Sequence, residues 1–148
     1  MLERPQAILF SCSAFGPCID AVREDLAPVP VRKPTDALLA ELAKTGGRVG
    51  LLAWFAPTLA SLMPECPPNV VFVPILVKGA AAAHTARDWD SHDRLVVEAA
   101  LSVNVDTFAL AQFSIARAAP ALRARTSKHV ITSPDRAVLE LKHALTHV

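Results

Sequence analysis

Short runs of apolar residues alternate along the chain with amphipathic segments. The apolar runs are residues 7–10, 29–31, 48–55, 70–77, 105–111 and 129–131. Because apolar residues follow one another in these runs, with no regular alternation with polar ones, the runs are typical of strands in a parallel sheet that is covered on both faces. A proline in a central strand removes a hydrogen bond of the sheet. Pro30 therefore predicts an edge position for 29–31, and Pro74 predicts either an edge position or a kink for 70–77.

Amphipathic patterns predict helices between these strands. The predicted helices are 16–26, 36–44, 57–64, 90–101, a segment after Ser114 that is interrupted at Pro120, and a last helix from Ser133, with apolar positions Ala137, Val138, Leu141, Ala144 and Leu145 facing inward. Thr35, the pair Asp90 and Ser91, and Ser133 are predicted to cap helices. The alanine-rich segment 79–87 fits either a loop or a loose helix. The alternation as a whole predicts an α/β fold, a parallel sheet with helices on both faces.

Composition narrows the class of protein. The 148 residues are 52% apolar and carry a formal net charge of +1, and this length holds one domain or two small lobes. The near-neutral charge argues against a nucleic-acid partner, and the absence of any run of eighteen apolar residues argues against a membrane span. Three cysteines without framework spacing indicate a reducing compartment, so we expect a cytoplasmic protein.

Small polar side chains follow several of the predicted strands. They are Ser11, Cys12, Ser13, Thr58, Gln112, Ser114, Thr132 and Ser133. In parallel sheets ligands bind beyond the carboxyl ends of the strands, where hydroxyls and free backbone N–H groups suit a carboxylate or another oxyanion. Each hydroxyl could instead cap the helix that follows it, and capping alone explains Ser114 and Ser133.

Cys12 is the sharpest candidate for chemistry. It ends the first predicted strand and precedes a helix, whose dipole would stabilise a thiolate that acts as a nucleophile or a base. The alternative is that this cysteine only fills the core. Cys18, inside the helix, and Cys66, in a proline-rich turn, lack this placement and are expected to be incidental.

A zinc site on the last helix is the one metal hypothesis that the sequence offers. Glu140, His143 and His147 lie at positions i, i+3 and i+7 of this helix. Histidines near a helix C-terminus are favourable on dipole grounds alone, so we predict no metal site. No glycine-rich phosphate loop is present, because Gly46, Gly47 and Gly50 precede a strand and do not follow one.

Five segments in one order resemble the aspartate/glutamate/hydantoin racemase superfamily: residues 8–16, 48–53, 56–59, 109–114 and 132–135. The resemblance implies two similar α/β lobes with the active site between them. It also implies chemistry without a cofactor, in which one cysteine from each lobe removes or returns the α proton on opposite faces of the substrate. Cys12 matches the first cysteine, Ser13 and Ala14 match groups that hold the substrate carboxylate, and Thr58 matches a substrate-contacting threonine.

The sequence departs from the family pattern in three places. Gln112 stands at the position of the second cysteine, and glutamine cannot exchange a proton in that role. Trp54 stands where hydantoin-racemase-like members tend to have threonine, which would reshape the pocket. The strand–helix units that precede the first cysteine in the family have no counterpart before Cys12, so we expect an N-terminally short member with an incomplete first lobe. Its exposed first strand would favour a homodimer.

These observations predict a remnant of the first lobe with its connecting helix at 1–45, a second lobe at 46–132, and a C-terminal helix at 133–148 that packs back on the first lobe. We expect a cofactor-independent protein of the racemase or epimerase family that acts on a small carboxylate of the aspartate, glutamate or hydantoin type with one cysteine or with impaired activity. One cysteine could support one-sided proton removal, decarboxylation with stereospecific reprotonation, or isomerisation through a covalent adduct. Cys12 is the expected acid–base group, and the expected substrate contacts are Ser13, Ala14, Thr58, Gln112, Ser114 and Thr132. The alternatives are a protein that binds a small carboxylate without catalysis and a structural subunit of a hetero-oligomer.

Overall fold

Two parallel sheets form the framework of the protein. The computed structural model describes residues 5–146. In the smaller sheet, β1 (Ile8–Leu9) pairs with β2 (Val31–Arg32). The larger sheet consists of β3 (Gly47–Ala53), β4 (Val70–Leu76), β5 (Thr107–Leu110) and β6 (His129–Thr132), in the spatial order β4-β3-β5-β6. All pairs are parallel, which confirms the predicted α/β class.

Helices connect the strands in sequence. They are α1 (Gly16–Asp25), α2 (Asp36–Thr45), α3 (Ala56–Leu62), α4 (Ala80–Thr85), α5 (Trp89–Leu101), α6 (Ala119–Arg123) and α7 (Ser133–Thr146), with 3-10 turns at Met63–Glu65 and Ala116–Ala118. The alanine-rich segment is therefore helical at α4. None of the helices in the described part of the chain is long and apolar enough to cross a bilayer.

The larger sheet is covered on both faces, as the apolar runs predicted. Successive residues of β3 point to opposite sides, so Leu51 packs in a core with Leu38 of α2, and Leu52 packs in a second core with Val96 of α5. All four of these side chains are fully buried. The strand thereby joins two separate apolar layers.

Proline and apolar pattern together place β4 at the edge of the larger sheet. Pro74 lies opposite Leu51 in the register, and β4 pairs with β3 alone among the described strands. The prediction of an edge is confirmed. The prediction of a strand buried on both faces is wrong for β4, because its residues alternate and Val71 is 55% exposed.

Two predicted caps differ from the structure. Thr35 precedes α2, but its hydroxyl makes no cap hydrogen bond. Helix α5 begins before the predicted cap at Asp90 and Ser91, because the carboxylate of Asp88 accepts a hydrogen bond from the Ser91 N–H at 3.1 Å. Aspartate is a preferred N-cap residue, because its carboxylate can accept a hydrogen bond from the free N–H three residues later, as Asp88 does.

Helix α7 packs against α2, within the segment 1–45. The Ser133 hydroxyl donates to the Pro34 carbonyl oxygen, so Ser133 does not cap its own helix. Of the five positions predicted to face inward, Ala137 is buried, whereas Val138 and Leu145 are exposed. The prediction for these two positions is wrong, because the packing of α7 against α2 leaves Val138 and Leu145 exposed. The domain boundaries themselves stay predictions.

Candidate functional site

The strand order creates a crevice at the carboxyl ends of β3 and β5. From β3 the chain continues to β4 on one side, and from β5 it continues to β6 on the other side. The loops that follow two adjacent parallel strands leave a crevice between them when the loops run in opposite directions. Ligands bind in this crevice, at the point where the strand order reverses. Trp54 and Phe55 follow β3, and Gln112 to Ser114 follow β5.

A cleft of about 550 Å³ lies at this position. Its wall also includes residues 11–13 and Phe15 from the loop after β1, Thr58 from α3 and His84 from α4. The cleft brings together five of the seven predicted site residues: Cys12, Ser13, Thr58, Gln112 and Ser114. Ala14 and Thr132 do not line it.

Cys12 is exposed at the cleft, which contradicts the alternative that it fills the core. Helix α1 begins only at Gly16, with Phe15 at its N-cap. Cys12 thus lies outside the first turn, where the helix dipole acts, and the dipole argument made from the sequence is wrong in this respect. Cys18 is also exposed, on α1, whereas Cys66 is half-buried and its thiol donates to the Val70 carbonyl oxygen at 3.2 Å.

Buried polar atoms without partners concentrate at the cleft. Ser13 is 5% exposed and Thr58 is 1% exposed, and neither hydroxyl has a hydrogen-bond partner among the described residues. The indole N–H of Trp54 is buried and lacks a partner in the same part of the chain. An unsatisfied buried polar group costs about 1–3 kcal/mol, so three of them around one cleft require an explanation.

Gln112 shapes the turn that follows β3. Its side-chain oxygen accepts hydrogen bonds from the backbone N–H groups of Trp54 at 2.7 Å and Phe55 at 3.1 Å. This carboxamide therefore joins the ends of β3 and β5 and holds Trp54 in the cleft wall. Its oxygen is occupied by the protein itself.

Three other predictions about hydroxyls and loops are corrected by the structure. Thr132 ends β6, and its hydroxyl accepts from the Asp135 N–H at 3.3 Å, so it serves the start of α7. Ala14 lies in the loop before α1 and is half-buried outside the cleft. Ser114 was explained as a cap, but the next α-helix, α6, begins only at Ala119.

Two histidines and two tryptophans form a cluster behind the cleft. The ring centroid of His84 lies 5.6 Å from Trp54, 5.4 Å from Trp89 and 5.9 Å from His92. His92 is fully buried, and its Nδ1 lies 2.8 Å from an oxygen of Asp93. No local pattern along the chain predicts this cluster, because the four rings come from α4, α5 and the end of β3.

Arg117 closes the outer side of this cluster. Its guanidinium donates to both carboxylate oxygens of Asp93, at 3.0 and 3.1 Å, and lies 4.4 Å from the ring centroid of Trp89. Partial burial opposes ionisation of Asp93, but the hydrogen bonds from Arg117 and His92 outweigh it and hold the pKa of Asp93 below its usual range. Asp93 is therefore a fixed negative charge beside His92.

A metal site is not formed within residues 5–146, where no group of three His, Cys, Asp or Glu side chains is close enough to hold an ion. In the predicted zinc face, Glu140 pairs with Arg32 at 3.1 Å. His143 lies on the same helix, and His147 lies outside the described residues.

Solved structures of racemases resemble this fold. Glutamate racemase from Bacillus anthracis matches with a TM-score of 0.71 and 16% identity, over 96% of this chain and 58% of that one. Glutamate racemase from Francisella tularensis in complex with D-glutamate matches with a TM-score of 0.71 and 14% identity, over 95% and 57%. Allantoin racemase from Klebsiella pneumoniae matches with a TM-score of 0.67 and 16% identity, over 95% and 60%.

The chain thus has the α/β fold of these racemases, as its resemblance to the superfamily implied, and it spans less than two thirds of their length. At these identities the likeness concerns the fold. No protein-family model and no curated protein sequence matches the chain.

Proposed function

We propose that this protein is a cofactor-independent isomerase of the racemase type. It binds a small carboxylate in the cleft and moves the α proton of this molecule through the Cys12 thiol. The racemase-like fold supports the reaction class. The position of Cys12 in the same cleft as unpartnered hydroxyls supports the assignment of roles.

The observation that carries the proposal is the pair of buried hydroxyls at Ser13 and Thr58. Both lack an acceptor in the described part of the chain and lie in the wall of the cleft beside an exposed thiol. A carboxylate offers two oxygens with several lone pairs, so it can accept from both hydroxyls at once. Binding would then remove the cost of two unsatisfied donors, and such hydrogen bonds are stronger because the acceptor is charged.

The chemistry needs two proton transfers, removal of the α proton and return of a proton. The Cys12 thiolate takes the α proton, and the electron pair of the broken C–H bond spreads onto the carboxylate of the substrate. The hydroxyls of Ser13 and Thr58 stabilise the negative charge that develops there. Return of a proton to the same face restores the substrate, and return to the opposite face inverts it.

Exchange of the α proton with solvent deuterium tests the role of Cys12. The probes are the separate enantiomers of aspartate and glutamate. We expect the parent protein to incorporate deuterium at the α carbon of at least one probe, and Cys12→Ser to do so at least about 100-fold more slowly. Cys18→Ser is the matched control, because Cys18 is exposed but lies outside the cleft. Equal exchange by Cys12→Ser and the parent contradicts the proposal.

Binding without catalysis is the second candidate, and the state of Gln112 favours it. The side-chain oxygen of Gln112 is held by Trp54 and Phe55, and the amide stands where the superfamily resemblance implies a second acid–base thiol. A pure binding protein would show no deuterium uptake with any probe. The same carboxylates would nevertheless raise its melting temperature, because they bind the folded state alone.

A further inference from the structure

We propose that His84 is the second acid–base group of the cleft and delivers or removes a proton on the face of the substrate opposite Cys12. This inference rests on the proposed function. It identifies a second group that can exchange a proton with the substrate, which the amide of Gln112 cannot do.

The lining of the cleft makes His84 the candidate. Apart from Cys12, the residues that line the cleft within the described part of the chain are Ser, Thr, Gln, Ala, Pro, Phe and Trp, with His84 as the one further group that titrates. Imidazole is the side chain that ordinarily gains and loses a proton between about pH 5 and 8. Cys12 comes from the loop after β1 and His84 from α4, so the two groups approach the cleft from different elements.

Aromatic rings fix the position of His84. Trp54 packs on it at a ring distance of 5.6 Å and a tilt of 37°, and Trp89 meets it edge-on at 5.4 Å. The imidazole is half-buried, so it is held in place and still reaches the cleft.

Behind His84 lies a buried histidine with an unused nitrogen. Nδ1 of His92 lies 2.8 Å from the Asp93 carboxylate, which leaves Nε2 as the other nitrogen of this ring. This Nε2 is buried and has no partner among the described residues. Its ring lies 5.9 Å from that of His84. His92 is therefore a positioning residue that packs behind His84.

The charges around this pair come from α5 and the adjacent 3-10 turn. Asp93 carries a negative charge beside His92, and Arg117 of the 3-10 turn Ala116–Ala118 neutralises it from the outside. Asp90 adds a weaker attraction to Arg117. Because Asp93 and Arg117 balance each other, the positive charge of a protonated His84 faces two aromatic rings and a nearly neutral ion pair.

The proposed step is balanced in protons and electrons. The Cys12 thiolate removes the α proton and becomes a thiol, while the C–H electron pair passes into the substrate. The carbanion then takes a proton from the imidazolium of His84 on the opposite face, and the N–H electron pair returns to the nitrogen. The substrate leaves inverted. Solvent resets the site, since the thiol loses a proton to water and the imidazole gains one.

Two rates measured in deuterium oxide test this role: inversion of a single enantiomer, and deuterium uptake with retention. The probes are those named for Cys12. We expect His84→Gln to lower kcat for inversion at least about 100-fold with little change in KM. For the enantiomer whose α proton faces Cys12, uptake with retention needs Cys12 alone and should stay within a few-fold of the parent. His129→Gln is the matched control, because His129 is exposed at the amino end of β6, away from the cleft.

A second variant separates chemistry from packing. His84→Ala leaves space beside Trp54, and added imidazole should restore inversion in a saturable manner, with melting temperatures recorded for each variant. Inversion by His84→Gln at the parental rate overturns the inference and leaves the proposed function standing. If the His84→Ala protein is folded and imidazole does not restore inversion, His84 contributes only to packing. This result also overturns the inference. Absence of deuterium uptake by the parent overturns both proposals together.

Discussion

Several residues of the cleft carry buried polar atoms that have no partner among the described residues. The Thr58 hydroxyl is enclosed by α3 and the cleft wall yet bonds to no described group. The Ser61 hydroxyl on the same helix donates to the Thr58 carbonyl oxygen at 2.9 Å. An unsatisfied buried donor lowers the free energy of unfolding. The free hydroxyl of Thr58 therefore costs stability, but it is available to form a hydrogen bond with a ligand.

Replacing the Thr58 hydroxyl by a methyl group should therefore have opposite effects on stability and on binding. We expect Thr58→Val to raise the free energy of unfolding by about 1 kcal/mol, because an unsatisfied polar group is removed at nearly constant volume. The same change should weaken binding of a carboxylate about 10-fold, since one hydrogen bond to a charged acceptor is lost. Denaturant titration and isothermal calorimetry measure the two quantities.

Thr35→Val is the matched control for this prediction. The Thr35 hydroxyl is also buried and unpartnered among the described residues, but Thr35 does not line the cleft. This variant should gain stability and keep its affinity. A Thr58→Val protein with unchanged affinity would remove Thr58 from the binding site.

Residues whose chemistry depends on sequence neighbours were predictable, and residues joined through space were not. The strand-to-loop positions of Cys12 and Thr58 could be placed at one edge of a sheet from the chain alone, and the cleft contains both. His84 was not found, because its partners Trp54 and His92 lie in other elements and share no spacing with it. Thr132 was predicted wrongly, since a helix start and a ligand contact use the same residue types.

Among the elements, α5 depends on the ion pair that connects it to the 3-10 turn Ala116–Ala118. Asp93 on α5 receives two hydrogen bonds from Arg117 of that turn. Burial of Asp93 favours the protonated form, but the hydrogen bonds from Arg117 and His92 prevail and lower its pKa in the folded state. A carboxyl group whose pKa is lower when folded stabilises the protein above its unfolded pKa, and this contribution is lost as the pH falls.

The pH dependence of this contribution can be measured by removing the charge. At pH 7 we expect Asp93→Asn to unfold more easily than the parent by about 1–2 kcal/mol. The difference should shrink as the pH falls from about 5 to about 2, because the parent then becomes protonated while the variant does not titrate. Urea unfolding at several pH values gives the difference directly. A difference that does not change with pH would show that the ion pair does not stabilise the fold.

Elements were predictable where burial follows the local pattern. Strand β5 lies within its predicted run, and β3 begins one residue before its run, because residues 49–53 of β3 and all of β5 are buried between covered faces. Strand β1 has only two residues, both half-buried, since it pairs with β2 alone in the described structure. The apolar pattern of α7 overstated its burial, because the sequence does not show how many neighbours a helix has.

In the whole molecule, a few side chains join the smaller sheet to the larger one across the cleft. The Lys33 ammonium, next to β2, lies 2.9 Å from the carboxylate of Asp20 and 3.5 Å from that of Glu65. Burial lowers the pKa of Lys33, but its hydrogen bond to Asp20 and the charge of Glu65 raise it overall. Ser133 adds the bond to Pro34, a residue of the cleft wall. The cleft therefore depends on contacts between the first 45 residues and the rest of the chain.

Assembly and location were inferred from the sequence alone and stay predictions. Among the described strands, β1 and β2 have no neighbours except each other. An unpaired strand edge of this kind is what led us to expect a homodimer. The expectation of a cytoplasmic protein rests on the cysteine count in the same way.

Alkylation of the cysteines by iodoacetate tests the central claim most directly, because this reagent is itself a small carboxylate. Its rate relative to that of neutral iodoacetamide is measured at Cys12 and at the exposed Cys18 by mass spectrometry of the same sample. We predict a saturable preference for iodoacetate at Cys12, absent at Cys18 and lost in Thr58→Val. The same ratio of rates at both thiols would contradict a carboxylate site beside Cys12.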